Sequence, residues 1–170
     1  MDIRGIDHIG VTVPDVEVAT RFFVEAMDAE VLYDVLKKSD PPRSHPRIAS
    51  RLGVLPGTKQ LAIRMLAMPN GPGLELFEYQ AANQTPPATA SDFGWQHIAI
   101  YVDDIDLALD RAQAAGAVPF SEPQDLSGVE GGAGNKFVYC KTPWGSILEL
   151  ISYPSPQPYE LATTRHRWRP

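Results

Sequence analysis

The chain alternates between short runs in which every second residue is apolar and two stretches with helical spacing of apolar residues. A strand beginning near His8 is followed by a predicted helix over residues 16–27, and a strand beginning near His97 by a predicted helix over residues 105–115. Three further strands are predicted after each helix: residues 29–35, 60–66 and 73–79 after the first, and 118–121, 135–141 and 146–153 after the second.

This order of elements is an internal repeat, because residues 8–19 align without gaps on residues 97–108. Both copies place a helix-capping aspartate after the strand, Asp15 and Asp104, and Gly116 is expected to end the second helix. The pattern predicts an α+β fold of two βαβββ modules. We expect a first module over residues 1–80, a linker over 81–93, a second module over 94–153 and a tail over 154–170. Together they are expected to form a single domain whose curved mixed sheet encloses a cleft.

Apolar side chains on the predicted helices and strands indicate a core. We expect the following residues to contribute to it: Phe22, Phe23, Leu107, Leu109, Ala112 and Cys140. Trp95 lies just before the strand that begins near His97, and Trp144 lies just before the predicted strand over residues 146–153. Both are expected to pack around a functional site formed by these strands.

The composition limits the classes of function. Hydrophobic residues make up 44% of the 170 residues, which is ordinary for a globular protein. The 15 basic and 21 acidic residues give a net charge of −6, which argues against a nucleic-acid partner. No apolar run is long enough to cross a membrane, and the N-terminal residues lack the pattern of a signal peptide. The single cysteine excludes an intramolecular disulfide and a cysteine-based zinc site, and it fits a cytoplasmic location.

Each module carries a histidine in its first strand and a glutamate in its last: His8 and Glu75 in one, His97 and Glu149 in the other. If the modules pair about a pseudo-twofold axis, the four side chains converge. Two imidazoles and two carboxylates suit one divalent ion such as Ni²⁺, Zn²⁺, Co²⁺, Mn²⁺ or Fe²⁺. A single glutamate on an amphipathic strand would more simply face solvent. Two glutamates at equivalent repeat positions, each preceded by an equivalent histidine, favour a metal site.

Four motifs in this order resemble the vicinal oxygen chelate superfamily over residues 6–153. They are Asp7-His8-Ile9-Gly10-Val11, Leu74-Glu75-Leu76-Phe77, His97-Ile98-Ala99-Ile100 and the segment from Thr142 to Leu150. The superfamily includes glyoxalase I, methylmalonyl-CoA epimerase, extradiol dioxygenases and bleomycin or fosfomycin resistance proteins. The complete His-Glu-His-Glu set is similar to that of bacterial glyoxalase I.

The resemblance implies a metal-dependent lyase or isomerase that acts on a small-molecule substrate and forms a homodimer. It implies that Glu149 or Glu75 removes a proton next to a metal-polarised carbonyl, and it favours Glu149. Thr12 and Tyr79 stand where glyoxalase I usually has arginine and asparagine, which argues against glutathione adducts. An iron-dependent ring-cleaving dioxygenase and a non-catalytic binding protein are the alternative functions.

Several other polar residues have simpler interpretations. Four arginines could bind a carboxylate or phosphate, but solvated charge is expected for most of them: Arg43, Arg47, Arg51 and Arg64. Arg64 is the best exception because it lies in a predicted strand. His45 is expected to be an exposed loop histidine. The glycine-rich segment 127–134 is expected to form a lid, and the basic tail a frayed or surface-packed terminus.

Overall fold

A computed structural model describes residues 3–169, which form two compact units, the first ending at Pro86 and the second beginning at Pro87. The first unit contains β1 (His8–Val13), α1 (Val16–Met27), β2 (Glu30–Leu36), α2 (Pro46–Leu52), β3 (Lys59–Ala67) and β4 (Gly73–Gln80). The second contains β5 (His97–Tyr101), α3 (Ile105–Ala114), β6 (Val118–Pro119), β7 (Gln124–Asp125), β8 (Lys136–Lys141) and β9 (Ile147–Ser152), with short 3₁₀ turns at Gly128–Glu130 and Pro158–Leu161. The mixed α+β architecture confirms the predicted fold class.

The two units have sheets of the same design. The strand order is β1-β4-β3-β2 in the first sheet and β5-β9-β8-β6 in the second, where β7 also pairs with β8. The first and last long strands of each unit are parallel neighbours, whereas their other pairings are antiparallel. Consequently the strand that carries the histidine lies beside the strand that carries the glutamate in both units.

The helices begin as the sequence predicts. Asp15 Oδ1 accepts hydrogen bonds from the backbone N–H groups of Glu17 and Val18, and Asp104 Oδ1 accepts one from Leu107. These bonds satisfy donors that the first helical turn leaves without partners. Gly116 follows the second of these helices with φ of +102°, a left-handed conformation that glycine adopts without strain.

The predicted core is correct except at one position. Phe22 and Phe23 are 1% and 2% exposed, and Leu109 and Ala112 are also buried. Leu107, in contrast, is 59% exposed, so its assignment to the core was wrong. Ile105 belongs to the buried face of α3. Leu107, two positions later, lies about 200° around the helix from Ile105 and therefore faces solvent.

Other departures lie in the connections between the strands. The insertion over residues 37–57 contains α2, which begins at Pro46 after the N-cap His45 and ends at Gly53. His45 is exposed, as predicted, and its ring nitrogen accepts a hydrogen bond from the Arg47 backbone. Trp95 is fully exposed, so the expectation that it packs around the site was wrong.

Cys140 is fully buried, as expected of a small core residue, and burial raises the pKa of its thiol to about 11.

In the part of the chain from residue 3 to residue 169, no helix has the length and apolar character needed to cross a membrane.

Candidate functional site

The parallel strand pair of each unit fixes one histidine beside one glutamate. In the first unit Gly10 pairs with Glu75, so the glutamate lies two residues beyond His8 along the ladder. In the second unit Ala99 pairs with Glu149, which gives the same offset from His97. Because side chains two residues apart point to the same face of a sheet, each histidine and its glutamate share a face.

The side chains of each pair are in contact. His8 Nε2 lies 3.3 Å from Glu75 Oε2, and His97 Nε2 lies 3.0 Å from Glu149 Oε2. Donor atoms at ~2.1 Å from one ion lie about 3.0 Å apart in octahedral and about 3.4 Å apart in tetrahedral geometry. The spacing within each pair therefore fits two ligands of the same ion.

The other ring nitrogen of each histidine is held by the residue that precedes it. Asp7 Oδ2 lies 2.7 Å from His8 Nδ1, and Gln96 Oε1 lies 2.9 Å from His97 Nδ1. The Gln96 side-chain N–H group donates to the Ala90 carbonyl, which directs its oxygen toward His97. Metal-binding histidines are commonly oriented by such a partner. Neither role was predicted from the sequence, although extending the repeat by one residue upstream aligns Asp7 with Gln96.

These hydrogen bonds set the chemistry of the nitrogen that faces the glutamate. Carboxylate and amide oxygens are acceptors, so Nδ1 of each ring donates. A neutral imidazole with its hydrogen on Nδ1 then presents the Nε2 lone pair to a carboxylate oxygen. Two acceptors face each other across about 3 Å, and only a cation between them satisfies both. A divalent metal ion at this position would satisfy both. The hydrogen bond that His8 donates to Asp7 is the main cause that raises the pKa of His8, and the charges of Glu75 and Asp7 add to it.

The surroundings of the two glutamates differ. The residue opposite Glu149 on the neighbouring strand is Tyr139, whereas the residue opposite Glu75 is Met65. Burial raises the pKa of Tyr139, and the negative charge of Glu149 raises it further. The ring of Tyr139 also meets His97 edge to face, with centroids 5.1 Å apart. Side-chain exposure is 11% for Glu149 and 20% for Glu75.

The structure thus brings the four predicted ligands together as two pairs, one within each unit. Among residues 3–169, no three or more His, Cys, Asp and Glu side chains form one cluster suited to a metal ion. The binding of a single ion by all four residues stays a prediction.

A cavity lies in each unit on the same sheet face as the pair. The cavity of the first unit has a volume of about 270 Å³, and both polar and apolar groups line it, among them Asp7, Tyr33, Leu32, Met65 and Met68. The cavity of the second unit has a volume of about 330 Å³ and is lined by Ala99, Tyr101, Ile151, Tyr153, Arg167 and Trp168.

Arg64, considered above as a site for an anionic ligand, is instead part of an ion-pair network. Its guanidinium binds Asp34 at 2.7 Å and Glu17 at 2.9 Å. The hydrogen bonds to Glu17 and then to Asp34 raise the pKa of Arg64. The side chain is only 12% exposed and already has two carboxylate partners, so the prediction that it binds a substrate anion was wrong.

Comparison with protein families places residues 5–150 within the family model described as the Glyoxalase/Bleomycin resistance protein/Dioxygenase superfamily. Among characterised relatives, the chain is similar to a 2-epi-5-epi-valiolone epimerase of an Actinomyces species. The two are 34% identical over 169 residues, which is 98% of this chain and 88% of the relative.

Solved structures with the same fold share less sequence. A glyoxalase family protein from Bacillus cereus is 17% identical with a TM-score of 0.68, over 89% of this chain and 95% of that protein. A variant of the fosfomycin resistance protein FosX from Listeria monocytogenes, complexed with Mn(II) and 1S,2S-dihydroxypropylphosphonic acid, is 15% identical with a TM-score of 0.59. That match covers 95% of this chain and 99% of FosX.

Proposed function

We propose that this chain, which belongs to the glyoxalase/bleomycin resistance protein/dioxygenase superfamily, is a metal-dependent epimerase of a small hydroxylated ketone. The observation that carries the proposal is a matched pair of His–Glu contacts, built with the same strand register in each unit. The 34% identity to an epimerase that acts on 2-epi-5-epi-valiolone supports epimerisation over the other reactions of the superfamily.

The residues proposed to bind the metal are His8, Glu75, His97 and Glu149. Their two nitrogens and two oxygens suit Ni²⁺, Zn²⁺, Co²⁺, Mn²⁺ or Fe²⁺, and the Mn(II) in FosX supports the use of a divalent ion. When bound, the ion would polarise the substrate carbonyl and stabilise the negative charge that develops on its oxygen.

The proton transfers are assigned to the two glutamates. Epimerisation next to a carbonyl removes a proton from one face of the carbon and returns a proton to the opposite face. Two carboxylates, one from each unit, could perform these two tasks. We assign removal to Glu149, because its side chain is the less exposed of the two and Tyr139 lies opposite it on the neighbouring strand. Glu75 is assigned to the second transfer.

A lyase reaction on glutathione adducts is the less favoured member of the same mechanistic class. Thr12 and Tyr79 lie on the sheet faces that carry His8 and Glu75, respectively. Neither residue supplies a cation for the carboxylates of glutathione. Homodimer formation and a cytoplasmic location stay predictions.

The proposal is tested by incubating the purified protein with 2-epi-5-epi-valiolone and each of the five metal ions in D₂O. We expect epimerisation with deuterium entering at the inverted carbon. Glu149→Gln and Glu75→Gln should each lower turnover by at least a hundredfold. The control Glu122→Gln, at an exposed loop position, should leave turnover unchanged.

Other outcomes would replace the proposal. Oxygen consumption with Fe²⁺ and catechols would establish a ring-cleaving dioxygenase. Turnover of glutathione adducts would establish a glyoxalase-type lyase. A wild-type protein that binds none of the five ions would overturn both the metal site and the epimerase function.

A further inference from the structure

The cavity of the second unit continues the sheet face that carries His97 and Glu149. Ala99 and Tyr101 follow His97 at two-residue steps on β5, and Ile151 and Tyr153 follow Glu149 in the same way. A step of two residues advances about 7 Å along a strand, so the near end of the cavity adjoins the pair. A single six-membered ring spans a comparable distance.

The C-terminal segment forms the outer wall of this cavity and is anchored there by several contacts. Tyr153 donates a hydrogen bond to the carbonyl of Trp168 at 3.1 Å. The guanidinium carbons of Arg167 and Arg169 lie 5.1 Å and 5.0 Å from the centre of the Tyr153 ring. The ion pair between Arg167 and Glu130, at 2.7 Å, adds a further tie. The tail is therefore surface-packed, one of the two arrangements expected of it, and it contributes two of the six residues that line the cavity.

The walls combine aromatic faces with strong hydrogen-bond donors. Three aromatic residues line the space: Tyr101, Tyr153 and Trp168. Tyr101 and Tyr153 meet edge to face with centroids 4.6 Å apart. Arg167 has five N–H groups, so its single ion pair with Glu130 leaves donors for a second partner. The faces of Tyr101 and Trp168 can pack against the C–H groups of a saturated ring, and the guanidinium N–H groups of Arg167 can donate hydrogen bonds to its hydroxyl oxygens.

We infer that this cavity binds the substrate as a polyhydroxylated six-membered ring, and that Arg167 and Trp168 of the tail are specificity-determining residues. The inference rests on the proposed function, because it places the ring beside the pair that carries the chemistry. The cavity of the first unit has one aromatic residue, Tyr33, beside Leu32, Met65 and Met68, with Asp7 as an acceptor, and no arginine lines it. It matches a hydroxylated ring less well.

The inference is tested with two probes, 2-epi-5-epi-valiolone for turnover and myo-inositol, which has no carbonyl, for binding alone. We expect Arg167→Ala and Trp168→Ala each to raise KM about tenfold with kcat changed by less than a factor of three. Trp168→Phe, which keeps an aromatic face, should recover most of the loss. Arg165→Ala is the matched control, since this exposed arginine lies two residues before Arg167 and should behave as wild type.

Saturation-transfer NMR with myo-inositol separates this inference from the proposed function. We expect the signal in wild type and in Glu149→Gln, and its loss in Arg167→Ala and Trp168→Ala. If the wild type fails to epimerise but keeps this signal, the function is wrong and the ring site stands. Wild-type KM and signal in both tail variants would overturn the ring site, as would a KM effect confined to Met65→Ala and Met68→Ala. Calorimetric Mn²⁺ affinity equal to wild type confirms that the tail variants keep an intact metal site.

Discussion

The Asp7 carboxylate accepts a hydrogen bond from Nδ1 of His8 at 2.7 Å, and this bond turns Nε2 toward Glu75. We predict that Asp7→Ala lowers affinity for Mn²⁺ or Zn²⁺ by about tenfold, because the imidazole loses the partner that fixes its orientation and hydrogen position. Isothermal titration calorimetry measures the change. Asp110→Ala, at an exposed position of α3, is the control. Unchanged affinity in Asp7→Ala, in a protein whose His8→Ala variant loses the metal, would contradict an orienting role.

Tyr139 lies opposite Glu149 on the neighbouring strand, and Met65 occupies the corresponding position opposite Glu75 in the first unit. We predict that Tyr139→Phe lowers kcat about tenfold, because the phenol is expected to hydrogen-bond the Glu149 carboxylate that removes the proton. Steady-state kinetics in parallel with metal titration makes the measurement, and metal affinity should be nearly unchanged. Tyr79→Phe serves as the comparison on the Glu75 strand. A larger effect there than in Tyr139→Phe would exchange the roles assigned to the two glutamates.

The network of Arg64, Asp34 and Glu17 is predicted to stabilise the fold and to leave substrate binding unaffected. Removing the guanidinium leaves Asp34, which is 18% exposed, without its cation. Arg64→Met should therefore lower the free energy of unfolding by about 2 kcal/mol, between the values for surface and buried pairs. Urea denaturation measures the loss, and Arg21→Met on the exposed side of α1 is the control. An increase in KM without loss of stability would restore Arg64 as an anion-binding residue.

Acid stability should depend on Asp15, which lies 2.7 Å from the Lys38 ammonium group. The hydrogen bond from Lys38, followed by that from the Val18 backbone, lowers the pKa of Asp15 below its ordinary 3.8. A carboxyl group with a lowered folded-state pKa stabilises the protein above its unfolded pKa, and this stabilisation is lost as the pH falls through the folded pKa. We predict that wild type exceeds Asp15→Asn in stability at pH 6 and that the difference shrinks toward pH 2.

Urea denaturation at pH 6, 4 and 2 tests this dependence. Asparagine also caps helices well, so the substitution removes the charge and keeps the N-terminal hydrogen bond of α1. Asp110→Asn controls for the loss of one acidic residue elsewhere. A difference between wild type and Asp15→Asn that is constant over this pH range would exclude a contribution from the ionised carboxylate.

Features with a periodic pattern in the sequence could be predicted, whereas features without such a pattern could not. The apolar pattern repeats along the strands and α1, so the α+β class, the bounds of α1 and the buried Phe22 and Phe23 were predicted correctly. Each His–Glu contact follows from the repeat, because it depends on one strand register. The docking of the tail on Tyr153 has no periodic signal, since it depends on tertiary contacts of single side chains such as Arg167. The expectation that Trp95 packs around the site failed because closeness in sequence to the proposed ligand His97 does not determine where a side chain points.

β1 pairs with β4 in the same register as β5 pairs with β9. Insertions between the strands and insertions within them are therefore expected to have different effects on the site. The connections between the strands can lengthen freely, because a longer loop adds only slowly to the entropy of closure; the 21-residue segment over 37–57, with its own helix, illustrates this tolerance. One residue inserted between Gly73 and Glu75 would instead turn the carboxylate to the opposite face of the sheet. Two inserted residues would restore the face but displace the carboxylate by about 7 Å. Descendants of this sequence are therefore expected to differ in length between the strands and to keep an invariant count of residues within them.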